Sequence, residues 1–134
     1  MAIGDIHGLP LAVHVASASP HEVTLVARTI ARRFTKSVPR RLVGDRAYDS
    51  DPLDQTLKKK GIEMISPHKS NRVKPKTQDG RPLRRYRRRW KIERLNAWLQ
   101  NFRKITTRYE YKAINYFNFV LLACMFFIKE LFLR

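Results

Sequence analysis

Apolar Leu11, Val13 and Val15 alternate with Ala12, His14 and Ala16, a period of two that predicts a half-buried strand. Ahead of it, Met1-Ala-Ile-Gly-Asp5 reads as the stub of another strand, and Gly8-Leu-Pro10 as the turn joining the two into an antiparallel hairpin. Ser19-Pro20-His21-Glu22 has the form of a capping box with Pro at the first helical position. Val23, Val26, Ile30 and Phe34 then recur at helical spacing, with Arg28, Arg32 and Arg33 off that face. Pro39 breaks the pattern, and Arg41-Leu-Val-Gly-Asp45 reads as a short buried strand. Asp51-Pro52 opens a helix that turns Leu53 and Leu57 inward, with Gly61 as its end. Ile62-Glu-Met-Ile65 is a further strand stopped by Pro67. A basic loop over 68–82, a long helix over about 83–103 and an apolar helix over about 113–134 complete the order. No internal repeat is visible. The alternation of strands and helices predicts a mixed α/β chain.

A length of 134 residues suits one domain with one core, and 43% hydrophobic residues argue against global disorder. Charge changes the picture more. Against 28 Lys and Arg stand 11 Asp and Glu, a net +17. Residues 1–57 carry 7 basic and 6 acidic residues, 58–104 carry 17 and 3, and 105–134 carry 4 and 2. An excess packed into the middle of the chain repels itself without an anionic ligand, and nucleic acid, ahead of an anionic membrane, is the expected partner. Within the block, Lys69, Arg72, Lys74 and Lys76 are the loop residues expected to contact it.

Other classes recede. Cys124 alone makes neither an intramolecular disulfide nor a multi-cysteine zinc site, and its apolar surroundings predict a packed thiol. His7, His14, His21 and His68 show no metal-ligand spacing. The longest unbroken apolar run, residues 119–128, has 10 residues where a membrane span needs about 20, so a buried core helix and no membrane partner are expected. Trp90 and Trp98 are expected in the core.

Three acids stand where chemistry would want them: Asp5 and Asp45 at strand ends, and Glu93 in the long basic helix. Glu93 is the sole acid between Arg81 and Arg103, a stretch holding nine Lys and Arg. The bland alternative is an i, i+4 ion pair with Arg89. Ile92, Leu95, Leu99 and Phe102 form the apolar stripe, while Tyr86, Arg89, Glu93, Asn96 and Gln100 form a second, polar one. Gathered carboxylates repel one another unless divalent cations neutralise them, and Mg²⁺ prefers oxygen ligands. Asp49 is the rival to Asp45; Asp51 and Asp54 suit helix-start roles.

The run Gly44-Asp45-Arg-Ala-Tyr-Asp49 and the helix Tyr86-Arg-Arg-Arg89-Trp-Lys-Ile-Glu93 resemble the second and third acidic motifs of DDE transposases of bacterial insertion sequences, of the IS-five type related to the IS-four type. Asp5-Ile-His-Gly-Leu-Pro-Leu11 and the segment from Ala16 to Glu22 resemble the first motif and the helix start after it. Family members place Tyr, Arg and Glu at the spacing of Tyr86, Arg89 and Glu93, then Lys or Arg seven positions on. Gln100 departs from that, with Arg103 and Lys104 a turn later. The resemblance implies one catalytic domain over residues 1–134 with a ribonuclease-H-like mixed sheet flanked by helices. It implies Asp5, Asp45 and Glu93 as catalytic, metal-binding residues with two Mg²⁺ or Mn²⁺ ions, and Tyr86 and Arg89 at the DNA. It further implies cleavage and joining of DNA in the bacterial cytoplasm, on transposon ends and target, by a homodimer. Full-length relatives carry more chain before the first Asp, so a truncated copy with an incomplete first strand is expected. The alternative is a catalytically inert DNA-binding relic. A metal-dependent nuclease without strand joining would share the site.

Overall fold

The computed structural model describes residues 1–77 and 82–133. Strands β1 (Ala2–Gly4) and β2 (Pro10–Val13) pair antiparallel, with a register shift between Ile3 and Gly4. Helix α1 (Glu22–Ala31) follows, and the chain beyond it returns to β2, where the Phe34 amide donates to the Leu11 carbonyl at 2.8 Å. Then come β3 (Arg41–Val43), α2 (Asp51–Lys58) and β4 (Glu63–Ile65), a parallel β3–β4 pair with a helical crossover. Helices α3 (Trp90–Leu99), α4 (Arg103–Thr106) and α5 (Ala113–Phe132) end the chain.

The mixed α/β order is the expected one, but the strands form two separate two-stranded sheets instead of one mixed sheet. With three or four residues each, they offer few ladder bonds. Between the pairs the link is side-chain packing: Met1, Ile3 and Leu42 pack on one apolar cluster built from Val26, Ile30, Leu53, Leu57, Ile62 and Met64. Ala2 belongs to the other cluster, around Val13, Leu95, Leu99, Val120, Ala123, Cys124 and Phe127. Successive β1 side chains point to opposite faces, so the strand lies between α1/α2 on one side and α3/α5 on the other.

Several local expectations are corrected. The capping box does not form: α1 starts at Glu22 with no side-chain cap, and the Glu22 carboxylate accepts from Tyr48 Oη at 2.9 Å instead of reaching back. Phe34 lies beyond the helix and is 45% exposed. In β3, Arg41 and Val43 are exposed, so that strand is only half-buried. The long helix expected over 83–103 is three pieces: a 3₁₀ stretch (Pro82–Arg88), α3, and α4 after a break at residues 100–102. Arg84 and Arg88, and Arg85 and Arg89, would meet at i, i+4 in an α-helix, where like charges repel.

Helix α5 is not buried all round. Val120, Ala123, Cys124 and Phe127, at i, i+3, i+4 and i+7, face the core, while Leu122, Met125 and Phe126 are exposed. By length and composition its stretch Ala113–Leu131, of mean hydropathy 1.5, is long and apolar enough to cross a membrane, so the run-length reading does not exclude a span. Only 22% of that stretch is buried, in the stripe that packs on the core. Cys124 is a packed thiol, its pKa pushed up to about 11 by burial.

Candidate functional site

Asp5 closes β1 in a tight turn. Its Oδ1 accepts from the amides of His7 at 2.7 Å and Leu9 at 2.8 Å, and its own amide donates to the Leu9 carbonyl. Gly8 takes φ +86°, and a Cβ there would come 3.0 Å from Arg94 Nη2, so the turn needs glycine for conformation and for space. That close neighbour also anchors the turn. Lys91 Nζ donates to the Ile6 carbonyl and Arg94 Nη2 to the His7 carbonyl at 2.9 Å, fastening the Asp5 turn to the first turns of α3.

Asp45 comes after β3 and caps the 3₁₀ turn Arg46–Tyr48, accepting from the Ala47 amide at 2.8 Å. Gly44 before it is buried, and a Cβ there would lie 2.6 Å from Met64 Cε and 2.8 Å from the Tyr48 ring. Tyr48 is held by Glu22, and burial with that carboxylate raises its phenol pKa above the ordinary range. Glu93 projects from α3, its side chain 55% exposed, and pairs with Arg89 at 2.6 Å. Arg89 also lies over the Tyr86 ring, 5.5 Å from its centroid. The bland i, i+4 pair is therefore present.

Asp5 and Asp45 each spend one carboxylate oxygen on backbone amides, and Glu93 is tied to Arg89. Their hard oxygen donors suit Mg²⁺ or Mn²⁺ by chemistry. Among the described residues, however, no group of three or more His, Cys, Asp or Glu is gathered closely enough to hold a metal ion. The arrangement brings Asp5 to α3 and leaves the three carboxylates unassembled as a cage.

Sequence reasoning missed the most heavily bonded acid. Asp49, the weaker rival to Asp45 by position, is buried, with His68 Nδ1 at 3.0 Å, the Lys69 amide at 2.8 Å and Arg72 Nη1 at 2.8 Å. Burial alone would push its carboxyl up, but these hydrogen bonds and the Arg72 charge hold it below the usual carboxylate range. Arg72 also donates to Asp51 at 2.7 Å and to the Pro75 carbonyl at 3.2 Å, and its side chain is only 10% exposed. Lys74 pairs with Asp51 at 3.3 Å, while Lys69 and Lys76 are exposed. The loop expected as four free cations thus has Arg72 turned inward. The partners lie 23 residues apart, beyond any local pattern. Arg81, at the end of that loop, lies outside the described residues.

Trp98 packs against the core with Phe102 and Phe127, but Trp90 is half-exposed, with Arg94 5.2 Å and Lys91 5.8 Å from its ring centroid. It is a surface residue beside the Asp5 turn, not a core one.

Acids at the ends of β1 and β3, a helix fastened to the first of them by Lys91 and Arg94, and a strongly basic middle are what the site presents. The family profile described as "Transposase DDE domain" matches residues 1–128, and the chain belongs to that family. It is similar to a putative transposase for insertion sequence element IS402 of Burkholderia cepacia, at 32% identity over 130 aligned positions covering 91% of this chain. The chain spans 58% of that relative's length. No solved structure matches it. Members of this family generally use divalent metal ions.

Proposed function

We propose that this chain is the catalytic part of an insertion-sequence transposase, cutting DNA strands at transposon ends and joining them to target DNA. The observation that carries the reading is the fastening of the Asp5 turn to α3 by Lys91 and Arg94, across 85 and 87 residues of sequence. It brings the Asp5 turn against the helix that bears Glu93, which supports the reading. Asp5, Asp45 and Glu93 are the proposed triad for Mg²⁺ or Mn²⁺, which would supply positive charge at the scissile phosphate. Since the carboxylates are not assembled here, the protein's own part is to orient and release them: Arg89 holds Glu93 and must yield it before a cation is bound. Antiparallel β1–β2, parallel β3–β4 and helices on both faces support a ribonuclease-H-like arrangement. Lys69, Lys76 and the Arg-rich 3₁₀ stretch are the proposed DNA contacts, with Tyr86 and Arg89 on the same side as Glu93. A homodimer and a cytoplasmic location belong to the same proposal.

Glu93→Gln keeps shape and removes the charge. It is expected to abolish metal-dependent DNA cleavage and to weaken Mn²⁺ binding in calorimetry, while duplex affinity stays level or rises, because a negative charge near phosphate has gone. Equal cleavage by the Gln variant would reject the triad. Absence of cleavage with all three acids present would favour the inert relic.

A further inference from the structure

The acids and cations around residues 49–74 make a second feature, distinct from the triad. Asp49 offers both carboxylate oxygens inward: Oδ1 to Arg72 and His68, Oδ2 to the Lys69 amide. Arg72 answers with a fork, Nη1 on Asp49 and Nη2 on Asp51, and its Nε and Nη2 reach the Pro75 carbonyl. One guanidinium therefore closes the turn over residues 69–75 on itself and ties it to Asp49 and the start of α2, just beyond Asp45. The Asp49–Arg72 pair is nearly dry, with side chains 4% and 10% exposed, so breaking it would leave a buried charge alone.

Such burial is unexpected in a loop meant only to coat the surface with positive charge. A solvated coat needs no internal acid, and an acid beside a DNA-binding surface repels phosphate. We propose that Asp49 and Arg72 are positioning residues: their ion pair folds the basic segment 68–76 against the end of β3, so that Lys69 and Lys76 meet DNA phosphates at a fixed place beside Asp45. The proposal rests on the DNA-binding reading above, and it has an inverted sign as its signature. By long-range electrostatics, removing an acid from a cationic protein tightens DNA binding. By positioning, removing Asp49 loosens it.

The test uses the full chain and a labelled 20-base-pair duplex of arbitrary sequence, with affinity measured by anisotropy across a series of salt concentrations. Asp49→Asn is expected to bind about tenfold more weakly than the native chain despite its higher net charge. Its plot of log affinity against log salt should be shallower by about one phosphate, roughly 0.9 in slope. Arg72→Lys keeps the charge and loses the fork, and is expected to weaken binding to the same degree. Trypsin should cut after Lys69 and Lys76 faster in both variants. A merely structural role would lower thermal stability without moving the salt slope of the folded protein. Unchanged or tighter binding by both folded variants overturns the proposal. If Asp49→Asn does not fold by circular dichroism, Arg72→Lys and the more exposed Asp51→Asn carry the same expectation and the same refutation. A native chain that shows no salt-dependent binding overturns the DNA reading itself, and the positioning role with it.

Discussion

Asp54 sits beside the Asp49–Arg72 pair and shares none of its bonds. Its Oδ1 is buried without a partner among the described residues, as is His68 Nε2. Burial first, then the charges of Asp51 and Asp49, raise the Asp54 carboxyl above its ordinary value of 3.8. A raised carboxyl favours its neutral form in the fold, so ionisation costs stability as pH climbs from 3.8 through the folded value. Asp54→Asn should therefore stabilise the protein at pH 7 by about 1 kcal/mol, the scale of one unpaired buried polar group. Denaturant melts at pH 7 and at pH 3 check this, with the gain expected to vanish at the lower pH. Asp49 has the opposite sign: its depressed carboxyl stabilises the fold above 3.8, a contribution that disappears as pH falls below that value. Neither effect was legible in the sequence. Asp49, Asp51 and Asp54 look alike as residue types, and only the folded neighbours of each set their charges apart.

At the scale of elements, the sequence told most where a periodic pattern met a conformational demand. Leu53 and Leu57 are buried in α2, and Gly61 comes after that helix at φ +71°, as the spacing and the glycine implied. The stripe of α3 also held, with Leu95 and Leu99 buried. Helix starts and continuity fared worse, because competition decides them: Tyr48 takes the carboxylate that a capping box needs, and repulsion among arginines opposes a helix before Trp90. Gly44 shows how tightly β3 is fitted to the 3₁₀ turn after it. Gly44→Ala would press a methyl onto the Tyr48 ring and the end of Met64. The methionine can swing away but the ring has less room, so destabilisation of about 1–3 kcal/mol is expected in thermal or denaturant melts. Since Tyr48 belongs to the turn that Asp45 caps, cleavage should fall further than stability alone explains.

For the molecule as a whole, the basic excess was visible from composition, but its division of labour was not. Arg72 and Lys74 serve the loop's own ion pairs, while Lys69 and Lys76 are exposed and make no side-chain ion pair among the described residues. Replacing both exposed lysines with Gln should flatten the salt dependence of DNA binding by roughly 1.8 in slope, near 0.9 for each phosphate no longer neutralised. Titration of a duplex at increasing salt reads this directly, and an unchanged slope would assign the loop to solvent. The resemblance to transposases was legible because its residues are few and ordered along the chain. How Asp5, Asp45 and Glu93 stand relative to one another was not, since that depends on contacts between segments far apart in sequence. The strand β1, whose Ala2 and Ile3 serve different apolar clusters, carries one more consequence. The covering of the first cluster comes from Leu95 and Leu99 of α3 and, much later in sequence, from Val120 to Phe127 of α5. On the ribosome, then, the hairpin keeps part of one face bare until Val120 to Phe127 have emerged. Contacts so distant in sequence slow folding and lengthen exposure to aggregation. A chain halted before Lys91 and Arg94 lacks the helix that holds the Asp5 turn in place.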